Sequence, residues 1–93
     1  MHPAYPSGVS RVDLAERFGV VVRLRRKAMD LSQEDLADLC GLHRTYIGCI
    51  ERGEKTVTIT TASKLAEAFG VRLWQLLKDV DEEPATRGAG QRN

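Results

Sequence analysis

What this chain of 93 residues lacks first is an excess of charge: 14 lysines and arginines meet 13 acidic residues, for a net of +1. Attraction to a polyanion therefore cannot come from bulk basicity and has to come from where individual charges sit. The ends are acidic or neutral and the middle is basic. Long hydrophobic runs are missing too. No stretch approaches the roughly 18 apolar residues of a membrane span, and no charged start leads into a short apolar export segment, so a cytoplasmic protein without membrane contact is expected. Cysteine is scarce, with only Cys40 and Cys49. A structural zinc site wants four ligands, and beyond these two and the intervening His43 nothing supplies the rest, so no metal is expected. A disulfide between them is disfavoured in a reducing cytoplasm. Cys40 reads as buried, whereas Cys49 reads as open to oxidation but without a basic partner at fixed spacing to activate it. No nucleophile with its base and orienting group, no phosphate-cradling loop and no paired carboxylates stand out. Neither an enzyme nor a cofactor is expected.

What is present is a pattern of helices, and it centres on residues 31–53, LSQEDLADLCGLHRTYIGCIERG. Ser32 stands as an N-cap before Gln33, and Asp35 falls three residues on, where a carboxylate can answer the cap. Leu36, Ala37 and Cys40 then make one apolar stripe, and Gly41 supplies the freedom for a sharp reversal. After Leu42, which can plug the corner, residues 43–52 restart the helix with Ile47 and Ile50 inward, and Gly53 closes it. Two helices joined by a short turn containing Gly match a helix-turn-helix, whose second helix lies in the DNA major groove.

Residues 18–77 closely resemble the bacterial and phage repressor-like helix-turn-helix family, and SQEDLA at 32–37 with HRTYIGCIERGEK at 43–55 look most like the controller proteins of restriction-modification systems. The resemblance implies an all-α, five-helix DNA-binding domain. The chain divides accordingly into an N-terminal arm over 1–9, disordered or ordered on contact, a DNA-binding and dimerisation domain over 10–80, and a solvated tail over 81–93. Ser10 with Asp13 repeats the capping pattern, and Val12, Phe18, Val21, Val22 and Met29 mark a first helix ending near Asp30. Gly19 inside it costs about 1 kcal/mol relative to Ala, and the resemblance suggests close packing as the reason it is tolerated. Asp30 can visit the left-handed region. Thr58 is the expected N-cap of a fourth helix with Ile59, Ala62, Leu65, Ala66 and Phe69 inward, ended by Gly70. Leu73, Leu76, Leu77 and Val80 mark a fifth, for which Arg72 is a poor cap.

On the recognition helix the outward positions are Arg44, Thr45, Gly48, Cys49 and Arg52. Arg44, in the first turn, can donate two parallel hydrogen bonds to guanine O6 and N7. Thr45 offers a hydroxyl and a methyl. Gly48 permits close approach to the groove floor, and Cys49 completes the base-facing set. Gln33, at a helix N-terminus that favours anions, is assigned by the resemblance to a phosphate. Arg52, Lys55 and Thr58 are placed to hold sugar-phosphate, as is His43, which doubles as a weak cap. Tyr46 either bonds phosphate or the central groove, or fills the corner of the motif. The resemblance makes Arg26 and Glu51 a partly buried structural ion pair, while Arg23, Arg25 and Lys27 read as a solvated face.

Trp74, the one tryptophan, points to a different sector from Leu73 and Leu76. With Leu77 it is expected at a homodimer interface, which the resemblance supports. The function implied is a transcriptional regulator that autoregulates a restriction-modification operon from a near-palindrome in double-stranded DNA, with RNA polymerase recruited by a dimer at a strong site. A phage-type repressor or an antitoxin is the alternative within DNA binding, and an adaptor binding other proteins is the alternative outside it.

Overall fold

Five α-helices follow one another in the computed structural model, which describes residues 11–84 with side chains from Asp13 onward. They are α1 (Arg11–Ala28), α2 (Gln33–Cys40), α3 (Arg44–Glu51), α4 (Ile59–Phe69) and α5 (Leu73–Glu82). The Ser10 cap, the Val12 side chain, the arm over 1–9 and the tail from residue 85 lie outside the described residues.

Four of the five helices stop in the same way. After α1, Asp30 turns left-handed (φ 61°), its N–H reaches Lys27 O, and the next N–H, of Leu31, reaches back to Arg26 O at 3.1 Å. This is the Schellman arrangement, which satisfies carbonyls that the helix end would leave orphaned. The same pair of bonds closes α2 through Gly41 and Leu42, α3 through Gly53 and Glu54, and α4 through Gly70 and Val71. Leu31, Leu42 and Val71 each tuck against the core after the turn. Glu54 does not: it is exposed.

Start signals behave less uniformly. Ser32 and Asp35 exchange both capping bonds at 2.9 Å, and Asp35 is held below the usual carboxylate range by the Ser32 N–H. The Thr58 hydroxyl accepts from Thr61 N–H at 3.1 Å. His43 and Arg72 precede their helices without a side-chain cap. Gln75 compensates at α5 by accepting the Arg72 N–H at 2.8 Å. The helix continues through Asp81 and Glu82, two residues into the segment read as tail, where Lys78 and Glu82 pair at 3.0 Å across one turn.

Each helix sends at least one side chain to the dry centre: Val22, Leu36, Ile47, Ile50, Leu65 and Leu76 are fully enclosed. Burying a side chain of this kind contributes about 1.5–3 kcal/mol. Ile59, read as inward, is not: it is 69% exposed. Met29, read as part of the first helix, sits in the turn after α1 and is exposed, and Leu77, expected at an interface, is exposed as well. Ile59 opens α4, and because side chains lean toward a helix's N-terminus, the first one projects past the neighbours it would pack on.

Gly19 lets α1 and α3 touch. A Cβ there would run into Ile50 O and lie 2.7 Å from Glu51 O, both backbone atoms of α3. Gly19→Ala should therefore lower stability by about 1–3 kcal/mol through overpacking, against the roughly 1 kcal/mol that alanine normally brings to a helix. Urea denaturation measures the sign directly; a stabilised variant would mean the contact is looser than described.

Candidate nucleic-acid interface

Between α2 and α3 lies a buried polar bridge. Arg26, near the end of α1, donates from Nε to Glu51 Oε2 at 2.7 Å and from Nη2 to Glu51 Oε1 at 3.0 Å, a two-point contact between planar groups. Its remaining nitrogen, Nη1, donates to Leu31 O at 2.8 Å, in the turn before α2. Glu51 Oε1 accepts a further bond from Gln33 Nε2 at 3.0 Å, from the first residue of α2. Side-chain exposures of 10% and 2% for Arg26 and Glu51 place the pair away from water. The hydrogen bonds it donates to Glu51 raise the Arg26 pKa, the largest effect on it. Three helices are thereby fixed at one point: the end of α1, the start of α2 and the end of α3. The ion pair expected from the resemblance is present in this geometry, and Gln33 belongs to it, which its position in the sequence did not indicate.

With α3 held there, its first turn is presented outward. Arg44 and Thr45 are exposed, and among the described residues no ion pair holds Arg44. His43 is exposed beside them. Tyr46 is half-buried: it packs against the core, as the corner of the motif requires, without being fully enclosed. Gly48, read as a point of close approach, is covered in this structure. A Cβ on it would lie 3.2 Å from Arg52 Nη1 and 3.6 Å from Gln33 Oε1, so both side chains fold over the space the glycine leaves. Cys49 is half-buried beside Arg52, with Sγ 3.7 Å from Nη2.

Arg52 is not an open cation. Glu54 grips it, Nε to Oε2 at 2.9 Å and Nη2 to Oε1 at 3.2 Å, and the arginine in turn draws the Glu54 carboxyl below its usual range. Sequence spacing offered no hint, since two residues across a helix end match no helical contact rule. Lys55 is exposed in the following loop. The Thr58 hydroxyl is engaged locally, accepting from Thr61 N–H and donating to Thr61 Oγ1.

Two basic or sulfur-bearing residues also find structural roles. Arg25, read as part of a solvated face, donates from Nε and Nη2 to Asp79 Oδ2 at 2.9 and 2.6 Å and ties α1 to α5, whereas Arg23 and Lys27 are exposed as expected. The carboxylate that captures Arg25 comes from a helix 54 residues away, beyond any local pattern. Cys40 is buried, with Sγ 3.8 Å from Lys64 O, and burial pushes its thiol pKa up.

Trp74 is 60% exposed on α5, one turn before the exposed Leu77. Leu77 and Ile59 line an apolar groove of about 240 Å³ whose floor includes Leu14, Phe18, Val57 and Val80. No helix among the described residues is long and apolar enough to cross a membrane.

A helix-turn-helix family model matches residues 22–73. The chain is 46% identical over 66 residues to control protein C.SmaI of Serratia marcescens, across 71% of this chain and 79% of that protein. It is likewise 46% identical over 61 residues to control protein C.BamHI of Bacillus amyloliquefaciens, across 64% of this chain and 75% of that one. Its backbone is similar to the crystal structure of the restriction-modification controller protein C.AhdI from Aeromonas hydrophila, at a TM-score of 0.65 and 42% identity, covering 67% of this chain and 94% of the other.

The bridge has a measurable signature. Glu51→Ala strands the buried Arg26 charge and should cost about 3–5 kcal/mol, whereas replacing both partners by apolar residues of similar size should cost much less. Denaturant midpoints for Glu51→Ala and for the Arg26→Met, Glu51→Leu pair make the comparison. Equal losses in the two would show that packing, not the stranded charge, sets the cost.

Proposed function

The chain belongs to the helix-turn-helix family, and on that premise we propose that it is a sequence-specific transcriptional regulator that controls a restriction-modification operon by binding a near-palindromic operator as a homodimer. The observation that carries this is the outward first turn of α3, with Arg44 and Thr45 exposed on a helix whose far end is locked by the Arg26–Glu51–Gln33 bridge. A rigid helix end with a free guanidinium is what base reading requires, since specificity depends on placing a fork of N–H donors against one base edge.

In this proposal Arg44 reads a guanine, Thr45 and Cys49 touch neighbouring base edges, and Gly48 keeps the centre of the helix low. Gln33, His43, Tyr46, Arg52, Lys55 and Thr58 hold the backbone and fix register without reading sequence. Gln33 keeps a second amide hydrogen for a phosphate while its first stays on Glu51. Trp74, Leu77 and the exposed Ile59 supply an apolar face for the second subunit, and a two-fold pair would set its recognition helices about 34 Å apart. Recruitment of RNA polymerase from a strong site and shut-off from a weaker adjacent one would give an autoregulated delay. The role is that of a binding protein in the cytoplasm rather than an enzyme.

Selection of bound sequences from a random duplex library at fixed, near-physiological salt tests the proposal. A recovered palindrome with half-sites one helical turn apart is expected, and no enrichment over random sequence would overturn it. In the same experiment Arg44→Ala should lose about 1–3 kcal/mol of discrimination at one position in each half-site. An unchanged preference would assign base reading elsewhere. Trp74→Ala should shift the monomer–dimer equilibrium toward monomer in sedimentation across a concentration series, and an unaltered dimer would move the interface off α5.

A further inference from the structure

The Schellman turn that ends α3 differs from the other three in one respect. Where α1, α2 and α4 are followed by Leu31, Leu42 and Val71, all packed on the core, α3 is followed by an exposed acid, Glu54. Its backbone is nevertheless fixed as firmly, with the Glu54 N–H bonded to Cys49 O at 2.9 Å and Gly53 left-handed before it. The carboxylate therefore starts from a defined point and needs to reach only two residues back. It meets Arg52 on the Nε and Nη2 edge, at 2.9 and 3.2 Å. That edge is one of the two with which a guanidinium grips a phosphate by two parallel bonds, and the other shares the same Nη2. Meanwhile Nη1 rests over Gly48.

We propose that Glu54 is an internal stand-in for a DNA phosphate: it occupies this gripping edge of Arg52 in the free protein and must be displaced before Arg52 can hold the backbone. The inference rests on the assignment of Arg52 to a phosphate in the proposed function. Both side chains are more than half exposed, at 58% and 52%, so the pair is open to water and to a competing anion. An exposed pair of this kind holds its partner by a factor of no more than about five, which a duplex phosphate in register can overcome. Binding then exchanges one guanidinium–carboxylate contact for one guanidinium–phosphate contact, and it leaves a carboxylate facing the duplex. Glu54 thus weakens every complex that uses Arg52, and it does so without regard to sequence, because a phosphate contact carries none. Encounters held by the backbone alone, which have no base contacts to offset the loss, fall furthest below a useful occupancy.

The test is fluorescence anisotropy of the full chain with a short random-sequence duplex over a series of salt concentrations, for wild type, Glu54→Gln, Arg52→Ala and the double variant. Thermal melts confirm that each is folded. Glu54→Gln is expected to tighten binding by about two- to fivefold and to steepen the salt dependence by up to about one unit of slope. In the Arg52→Ala background the same change should have little effect, because the edge it frees is gone. A Glu54→Gln variant that binds no tighter than wild type, while Arg52→Ala binds more weakly, would overturn the proposal and leave the phosphate role of Arg52 intact. Equal tightening with and without Arg52 would also overturn it, since Glu54 would then act as a general negative charge. If Arg52→Ala changes neither affinity nor slope, the assignment of Arg52 to phosphate fails and takes the proposal with it.

Discussion

A charged group in a protein interior has to be answered by partners for every donor and acceptor it carries, and in this molecule that requirement sets the angle of the recognition helix. Arg26 spends its fork on Glu51 and its third nitrogen on Leu31 O, and Glu51 accepts a further bond from Gln33. No one of these contacts need add much net stability, since desolvation offsets most of the attraction. Their value lies in geometry. Moving α3 relative to α1 or α2 would open a buried charge, so the low-cost displacements are those that leave this point fixed. Gly19 completes the constraint by bringing the backbones of α1 and α3 into contact beside it.

The turns supply the rest of the frame. A repeated Schellman ending places a left-handed residue after each of the first four helices and an apolar side chain after three of those residues, so each reversal is anchored in the core as soon as it is made. That economy permits helices of only eight residues in α2 and α3, too short to be stable alone. Their stability is tertiary. The third turn, which leads out of α3, gives up its apolar anchor for Glu54, and the chain there is held by the backbone bond to Cys49 O instead.

The parts of this architecture that obey local rules were legible in the sequence. The Ser32–Asp35 cap, the Thr58 cap, the Gly41 reversal and the inward Ile47 and Ile50 all follow from spacings of one to four residues, and each is present. The Arg26–Glu51 pair spans 25 residues and was available only through family resemblance, because no periodicity links its members. What escaped was of two kinds. Long-range polar partners were invisible: Asp79 for Arg25, Glu51 for Gln33. Helix ends were misjudged where a residue with the right periodicity had no neighbour to bury it, as at Ile59, or where packing extended a helix past its apolar stripe, as at Asp81 and Glu82. Periodicity specifies a face, and only the assembled fold says how far that face is covered.

The same pairings give the net charge of +1 a different meaning from the one that composition suggests. Arg25, Arg26 and Arg52 each have a carboxylate, and Arg44 has none among the described residues. Positive charge is thus withdrawn at those three arginines, while Arg44 in the first turn of α3, like the exposed Arg23, Lys27 and Lys55, is in no ion pair among the described residues. A protein attracted to DNA by bulk charge would bind everywhere and lose that binding steeply with salt. Under the proposed function, a chain with Arg25, Arg26 and Arg52 occupied would gain less from mere proximity to a duplex, and discrimination would rest on the exposed Arg44 meeting a base edge.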